Sequence, residues 1–299
     1  MDAIEALVSE FCDDRLSEGL SPHTVRMYRS TLRYFTRYLS EKTSVTTVKQ
    51  VTKRTVRGFL AYLRDNGASQ NTLNVRHAGL SVFWSWLVKE NEATEHVVKG
   101  VTRPRAEINE TPLITAEQMS ALLKLEARTP FLTARNRAVL MMLWDTGVRV
   151  GELTGIRNAD IDLDAMTVRV DGKTGERTVP FGQSTRSALR KYLRARSHYP
   201  GKDSPALFLG HKGALTTNAV RIMVEDYGKR LGICGLHPHS FRHTWAHNML
   251  AAGATVLDVQ VLGGWNSPKQ VLERYGIAGK RERAIAAHRR LSPGDRLGK

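Results

Sequence analysis

The sequence predicts a mainly α-helical protein, with an all-helical N-terminal domain and a mainly helical α+β second domain that contains a small β-hairpin. Three observations carry this prediction. Apolar residues recur at the helical period in successive stretches, a charged stretch with two prolines interrupts them near residue 104, and one turn-rich segment lies between two short strand-like runs. The 299 residues are enough for two domains that each bury a core.

The predicted domain boundary lies where Pro104 and Pro112 bracket a charged segment that is nearly free of apolar residues. We therefore predict a first domain at residues 1–103, an interdomain linker at 104–112 and a second domain at 113–299.

The first domain is predicted to be helical throughout. Ser21 followed by Pro22 is typical of a helix N-cap with proline in the first turn. Three stripes of apolar residues at the helical period predict three helices, whose aromatic residues we assign to the core. The stripes are Val25, Tyr28, Leu32, Phe35 and Leu39; Val56, Phe59, Leu60 and Leu63; and Leu73, Leu80, Trp84 and Leu87.

The second domain combines helices with one hairpin. Thr115 to Gln118 resembles a capping box that opens a helix, and the apolar helix from Ala138 to Trp144 should end at Gly147. The runs Met166–Val170 and Arg177–Pro180 flank a turn and predict the β-hairpin. Five further helices are predicted, at Gln183–Ser197, Thr217–Leu231, Ser240–Ala252, Val256–Leu262 and Lys280–Leu291.

The chain is strongly basic. It contains 45 Lys and Arg against 29 Asp and Glu, a formal net charge of +16. Residues 1–106 carry 16 basic and 11 acidic side chains and residues 107–299 carry 29 and 18, so both parts are basic. This balance favours a polyanionic partner, of which nucleic acid is the commonest.

Membrane insertion and export are disfavoured. No run approaches the roughly 18 uninterrupted apolar residues that a membrane span needs, and the acidic opening from Met1 to Glu5 is unlike a secretory signal. Cys12 and Cys234 lie far apart in the sequence, which fits a reducing compartment. We therefore expect a protein of the bacterial cytoplasm or nucleoid, without membrane contact.

Two predicted helices of the first domain carry candidate DNA-binding residues. No acidic residue occurs between Glu18 and Glu41, and such a single-sign basic face suits phosphate contact, whereas a merely solvated face mixes signs. The later helix has no acid from Asn66 to Lys89 and carries side chains able to read base edges, although the sequence does not assign which of them do so. The candidates are Arg26, Arg29, Arg33 and Arg37 on the earlier helix, and Asn71, Asn74 and Arg76 on the later one.

The second domain carries the residue types that break a phosphodiester without a metal. Arginine forks match the non-bridging oxygens of the transition state, and a nucleophile and a proton donor complete the set. The sequence supplies, in order, Arg149 after a helix end with Glu152 three residues on, Lys173 at the hairpin tip, His239 and Arg242 one helical turn apart, Trp265 after a glycine pair, and Tyr275, the one tyrosine beyond Arg242.

In these motifs the second domain resembles the catalytic domain of the tyrosine recombinases, also called the phage integrase family. The resemblance rests on the segment around Arg149, the His239-x-x-Arg242 motif and the Leu262-Gly263-Gly264-Trp265 run before Tyr275. It covers nearly the whole chain, because the helical first domain is similar to the core-binding domain of that family. It implies site-specific recombination through a covalent 3′-phosphotyrosyl intermediate, with a phage or mobile-element integrase as the first interpretation and Xer-like resolution of DNA dimers as the alternative.

The resemblance also implies a role for each motif position. Arg149 and Arg242 would clamp the scissile phosphate, and Tyr275 would attack it. Lys173 would protonate the leaving 5′ oxygen, and His239 would act in proton transfer with the nucleophile. Trp265 would supply packing and an indole N–H where many relatives have histidine, and Glu152 would hold the arginines. No cofactor is implied; the partners would be double-stranded recombination sites, further copies of the chain in a tetramer, and a directionality factor where one is used.

Two features depart from the family pattern. Trp265 and Tyr275 are ten residues apart, one more than is usual, with the insertion assigned near Pro268, and this bears on the helical register of the nucleophile. The core-binding helices begin almost at Met1, so we expect recognition of core sites without the arm-binding domain of lambda-type integrases. The segment Lys280–Leu291 is the candidate for helix exchange between copies, or for packing within its own copy.

Three other interpretations each fit part of the sequence. A non-cleaving regulator derived from a recombinase would share the basic surfaces, but the complete motif set argues against it. A type IB topoisomerase-like activity has similar chemistry, but the compact core-binding domain favours recombination. A zinc site is suggested by the spacings of His237, His239, His243 and His247, yet no acidic or cysteine ligand accompanies them, and we predict no metal.

Overall fold

The computed structural model describes residues 2–107, 113–172 and 175–273, together with positions 285, 288, 289, 292 and 295. The chain divides into two compact units, Met1–Asn109 and Glu110–Lys299, and each has its own cluster of buried apolar side chains. The described first unit is helical, and the second combines helices with short antiparallel strands. The predicted fold class is therefore confirmed.

The first unit is built from helices whose starts follow from local side chains. The Ser21 hydroxyl accepts a hydrogen bond from the Thr24 backbone N–H at 3.2 Å, so the second helix begins where the sequence predicts. The predicted apolar stripes are buried, with Tyr28 partly so, and the aromatic residues of the last helix lie in the same core. The helices are α1 (Asp2–Ser17), α2 (Pro22–Lys42), α3 (Lys53–Asp65) and α4 (Gln70–Lys89), with 3₁₀ turns at Val48–Gln50 and Val97–Gly100.

The segment that follows the second 3₁₀ turn, residues 101–107, lies along α4, and we call it the strap. Three α4 side chains spaced three residues apart donate hydrogen bonds to strap carbonyls. The strap runs antiparallel to α4. Arg103 of the strap donates in return to the Asn74 side-chain oxygen at 2.8 Å. The donors and acceptors are Asn71 and Glu107 at 3.1 Å, Asn74 and Pro104 at 2.6 Å, and His77 and Val101 at 2.9 Å.

The second unit begins with the capping box predicted at Thr115, whose backbone N–H and hydroxyl both bond to Gln118. The long central helix ends as predicted at Gly147, where φ is 60°. A Cβ at this position would collide with the ring of Trp245, so the turn requires glycine on two grounds. The helices are α5 (Ala116–Lys124), α6 (Pro130–Thr146), α7 (Val150–Gly155), α8 (Gln183–Arg196), α9 (Thr217–Arg230), α10 (Pro238–Ala251), α11 (Val256–Gly263) and α12 (Pro268–Val271), with a 3₁₀ turn at Asn158–Asp160.

The predicted hairpin is confirmed as the strands β2 (Thr167–Gly172) and β3 (Gly175–Pro180), paired antiparallel with Val168 opposite Val179. A short strand β1 (Ile161–Asp162) adds to its edge, and β4 (Leu209–Gly210) pairs with β5 (Gly213–Ala214) elsewhere in the unit. These three strands are not predicted from the sequence. Each has two residues, which is too short for an alternating pattern to be visible.

Several predicted features lie outside the described residues. These are residues 108–112 of the predicted linker and, apart from positions 285, 288 and 289, the helix predicted at Lys280–Leu291. Among the helices that the structure does describe, none combines the length and the apolar character that crossing a membrane requires.

Candidate active site

Arg149 is placed by the turn that ends α6. The left-handed Gly147 reverses the chain, and Arg149 then becomes the N-cap residue of the short helix α7. Its guanidinium donates from Nη2 to the backbone carbonyl of Gly264 at 2.7 Å. The side chain is 36% exposed, so the guanidinium is fixed by the protein and still open to a ligand.

Glu152 is the buried anion of the site. Its carboxylate accepts hydrogen bonds from the backbone N–H and the Nη1 of Arg149, both at 2.8 Å. It also accepts from both terminal nitrogens of Arg177, at 3.0 and 2.8 Å. Burial would by itself raise the pKa of Glu152, but the hydrogen bonds from Arg177 and Arg149 and the charge of Arg177 outweigh it and hold the pKa below its ordinary value. Glu152 is therefore ionised and tied to two arginines.

Arg177 is the residue of this network that sequence reasoning missed. It lies on β3, two positions before the buried Val179, so its side chain occupies the inward face of the strand. Its Nε donates to the carbonyl of Leu262 at 2.7 Å, which ties the hairpin to the end of α11. A charged residue at an inward strand position was the signal that could have found it.

Arg242 lies on α10 and is 2% exposed. Its Nη1 donates to the carbonyl of Gly147 at 2.7 Å, next to the turn that presents Arg149. Its guanidinium carbon lies 3.7 Å from the centroid of the Trp265 ring, which is cation–π geometry. Arg149 in turn bonds to Gly264, the neighbour of Trp265. Arg149 is therefore bonded to the segment that packs on Arg242, and Arg242 is bonded to the turn that precedes Arg149.

Trp265 is 8% exposed and stacks on Trp245, with ring centroids 6.3 Å apart and planes 10° apart. The glycine pair before it permits this packing. A Cβ at Gly263 would collide with the Trp265 ring, and a Cβ at Gly264, where φ is +64°, would lie 2.7 Å from Nη1 of Arg177. The close backbone approach predicted for these glycines is confirmed.

His239 lies in the first turn of α10 and is exposed. His237 caps the same helix, because its Nδ1 accepts a hydrogen bond from the backbone N–H of Ser240 at 3.2 Å. The His239 ring lies 6.3 Å from the His237 ring and 6.1 Å from the His243 ring, centroid to centroid. Within the described residues, no group of three or more His, Cys, Asp or Glu is arranged to hold a metal ion.

Two predicted site residues lie outside the described residues. Lys173 falls between β2 and β3, and Tyr275 follows the end of α12. The structure therefore brings together Arg149, Glu152, Arg242 and Trp265, places His239 on the helix of Arg242, and leaves the other two positions as predictions.

The basic face predicted on α2 is exposed as a continuous row. Arg26, Arg29, Arg33 and Arg37, together with Ser30 and Tyr34, line a surface groove of about 390 Å³. The first unit thus presents four guanidinium groups along one helix, an arrangement that suits phosphate contact.

The candidates on α4 are engaged within the first unit. Asn71 and Asn74 bind the strap, as described above. Arg76 donates to the hydroxyls of Ser30 and Thr31, both at 3.0 Å, and its guanidinium carbon lies 4.6 Å from the Tyr34 ring centroid. To read base edges these side chains would have to exchange the contacts that they make here.

Two family models match the chain. The model described as "Phage integrase family" matches residues 112–280, and the model described as "Phage integrase, N-terminal SAM-like domain" matches residues 10–91. Among similar relatives, the tyrosine recombinase XerC of Corynebacterium glutamicum is 35% identical over 290 residues, covering 93% of this chain and 89% of the relative. The tyrosine recombinase XerC of Roseiflexus sp. (strain RS-1) is 32% identical over 273 residues, covering 89% and 86%.

Solved structures share the fold. The XerH site-specific recombinase bound to palindromic difH substrate, in a post-cleavage complex, matches with a TM-score of 0.73 and 22% identity, covering 94% of this chain and 83% of that one. A lambda integrase dimer bound to a COC′ core site matches with a TM-score of 0.75 and 17% identity, covering 91% and 76%.

The fold and these matches define a recombinase, an enzyme that cleaves and rejoins DNA at specific sites. The chain belongs to the phage integrase family, the family of the tyrosine recombinases.

Proposed function

We propose that the enzyme cleaves DNA with Tyr275, holds the broken strand as a 3′-phosphotyrosyl ester and rejoins it to another 5′ hydroxyl without ATP or a metal. The observation that supports this most directly is the anchoring of Arg149 and Arg242 on the backbone carbonyls of Gly264 and Gly147. Guanidiniums that are already fixed need little reorganisation when charge develops on a phosphate, which is the basis of electrostatic catalysis.

In the proposed reaction, the Tyr275 oxygen attacks phosphorus while the bond to the 5′ oxygen breaks. Arg149 and Arg242 bind the non-bridging oxygens, and the indole N–H of Trp265 serves as an additional donor. Lys173 gives its proton to the leaving 5′ oxygen, and the exposed His239 accepts the proton of the tyrosine. Glu152 holds Arg149 from the side away from solvent. Rejoining is the same sequence in reverse, with the 5′ hydroxyl of another strand as the nucleophile.

The biological role that we favour is recombination of the Xer type, in which DNA dimers are resolved. This reverses the order suggested by the sequence alone, where a phage or mobile-element integrase came first. The support is the similarity to relatives named XerC, at 32% and 35% identity over most of both chains. Integration of mobile DNA stays the second candidate, because the fold is equally shared with a lambda integrase structure.

The proposed working assembly is a tetramer on two recombination sites, with a directionality factor if the role is integration. We assign core-site binding to residues 1–103 and catalysis to 113–299, joined at 104–112, with Lys280–Leu291 as the segment exchanged between copies. The proposed location is the bacterial cytoplasm, where the DNA substrate is found.

A covalent-complex assay tests the chemistry. The full chain is incubated in EDTA with DNA that flanks its own gene, and denaturing gels are used to detect protein joined to a strand. Wild type should form the adduct and Tyr275→Phe should bind DNA without forming it. Tyr199→Phe is the matched control, since Tyr199 lies in the same unit and its ring stacks on Phe131, a contact that phenylalanine preserves. Binding without an adduct in wild type would favour the non-cleaving regulator, and an adduct in Tyr275→Phe would identify another nucleophile.

A second assay separates the two roles. Sequencing the captured strands defines the site, which is then cloned as one copy per plasmid. Conversion of plasmid dimers to monomers supports the Xer-type role. Insertion of a circular donor into the site without dimer resolution supports an integrase. Free relaxation of supercoiled plasmid without exchange would instead indicate topoisomerase-like activity.

A further inference from the structure

A single carboxylate in the site accepts hydrogen bonds from two arginines. Glu152 accepts from Arg149 and Arg177 through the same two oxygens: Oε1 receives Nη1 of both guanidiniums, and Oε2 receives the Arg149 backbone N–H and Nη2 of Arg177. Two guanidiniums and one carboxylate leave one net positive charge. Where that charge resides decides what the site can bind.

Exposure differs sharply within this triad. The Glu152 side chain is 3% exposed and that of Arg177 11%, whereas that of Arg149 is 36% exposed. The two most buried members form the ion pair with parallel N–H···O bonds that arginine and carboxylate favour. The net positive charge therefore lies on the solvent side, on Arg149.

Without Arg177 the net charge of this group of residues would fall to zero. Glu152 would then neutralise Arg149, and an approaching phosphate would meet a neutral pair whose carboxylate repels it. A carboxylate three residues from a phosphate-binding arginine is consistent with function because a second, buried arginine compensates it. The same residue also ties β3 to α11 through the Leu262 carbonyl.

We propose that Arg177 is a positioning residue that balances the charge of Glu152 and so leaves the charge of Arg149 available to the scissile phosphate. This inference rests on the proposed function, in which Arg149 binds that phosphate. The room for the arrangement is supplied by glycine: a Cβ at Gly172 would collide with Oε1 of Glu152, and one at Gly264 would crowd Nη1 of Arg177.

The test is a series of variants that neutralise or keep these charges. The rate of covalent adduct formation is measured for each on DNA that wild type cleaves. Arg177→Gln should slow the reaction by roughly 10- to 100-fold, less than direct loss of a transition-state donor. The double variant Arg177→Gln with Glu152→Gln should recover most of that loss, because the two neutral side chains again leave Arg149 with its charge. Arg177→Lys keeps the charge but loses the parallel bonds, so it should be clearly faster than Arg177→Gln. If Arg177 acts only as a tie to Leu262, the double variant will be as slow as the single one, and the proposal is wrong.

Arg169→Gln is the matched control. Arg169 lies on the same hairpin and pairs with Asp160 at 2.6 Å, but it is exposed and forms no ion pair with Glu152, so its loss should leave the rate unchanged. An equal effect of Arg169→Gln would also overturn the proposal. Thermal unfolding identifies variants that fail to fold, in which case Arg177→Lys and the double variant carry the comparison.

Binding provides a readout that does not depend on cleavage. The affinity of each variant for the same duplex is measured over a range of salt concentrations. Arg177→Gln should lower the log–log slope by about one unit, the value for one phosphate contact, and the double variant should restore it. If the double variant restores the slope but wild type forms no adduct, the charge balance is upheld and the proposed cleavage is refuted. If the double variant does not restore the slope but wild type forms a normal adduct, the charge balance is refuted and the proposed cleavage is upheld.

Discussion

The Trp265 ring contacts two residues of α10 that are one turn apart, Arg242 at 3.7 Å from the guanidinium carbon and Trp245 by parallel stacking at 6.3 Å. Residues at i and i+3 share a helix face, so a single aromatic side chain covers that face and orients the arginine.

Trp265→Ala should lower the free energy of unfolding of the second unit by about 3–5 kcal/mol, because it removes a buried ring. Trp265→Phe should cost clearly less, since a phenyl ring retains part of the stacking. Urea denaturation followed by hydrogen exchange of α10 and α11 measures both. An alanine variant with the unfolding midpoint of wild type would show that the contact carries no stability.

Gly147→Ala should destabilise the second unit by about 1–3 kcal/mol or more, since it places a Cβ in the left-handed region and against the Trp245 ring. Gly151→Ala is the matched control, because a Cβ at Gly151 meets no atom within 4 Å. The melting temperatures of the two variants should separate clearly. Equal temperatures would contradict the packing argument.

Acid should weaken the second unit through Glu152. Its pKa is lowered in the folded state, so the stability it contributes is fully present above the ordinary pKa of glutamate, about 4.3, and is lost as pH falls through the lower folded value. Glu152→Gln should be less stable than wild type at neutral pH, and the difference should shrink on acidification. Parallel denaturation curves from neutral pH down to about pH 3 test this. A difference that stays constant would mean that the carboxylate is not held ionised by the arginines.

A second acid effect is expected in the first unit. Burial lowers the pKa of His77, the charges of Arg103 and His96 lower it further, and the hydrogen bond to the Val101 carbonyl only partly opposes them. A lowered histidine pKa means that its contribution is intact above the ordinary value, about 6.5, and is lost as pH falls below it. Hydrogen exchange of α4 should therefore accelerate between neutral pH and about pH 5.5, after correction for intrinsic rates, and less so in His77→Gln.

The arginine row of α2 should set part of the salt dependence of DNA binding. Replacing Arg29 and Arg33 by alanine should reduce the log–log slope by about one unit per lost phosphate contact. Arg54→Ala with Arg57→Ala on α3 provides a control of equal charge on another exposed face. Equal losses in both pairs would indicate a diffuse field in place of a contact row.

The sequence alone is sufficient to predict features that depend on residues within one helix or hairpin. The Ser21 cap, the end of α6 at Gly147, the hairpin and the one-turn spacing of His239 and Arg242 each depend on neighbours a few residues away, and local rules predict them. Arg177 could not be placed in the same way. Its partner Glu152 is 25 residues distant, and only the packing of α7 against β2, the strand paired with β3, brings the two together.

The asparagines of α4 illustrate the same limit. Asn71 and Asn74 on one helix face suit a DNA groove. They suit an extended segment of the chain itself equally well, because a DNA groove and an extended backbone both offer hydrogen-bond acceptors at regular intervals. Spacing on the helix predicts a shared face. It does not predict that residues 101–107, some 30 positions later, lie against it.

The strap also determines how much chain lies between the two units. Because Asn71, Asn74 and His77 hold residues 101–107 on α4, the first four residues of the proposed linker, 104–107, belong to the first unit. A shorter tether raises the effective concentration of one module at a site held by the other. In the proposed function, where both units bind the same DNA, three uncharged side chains on one helix thereby add to the avidity of the enzyme.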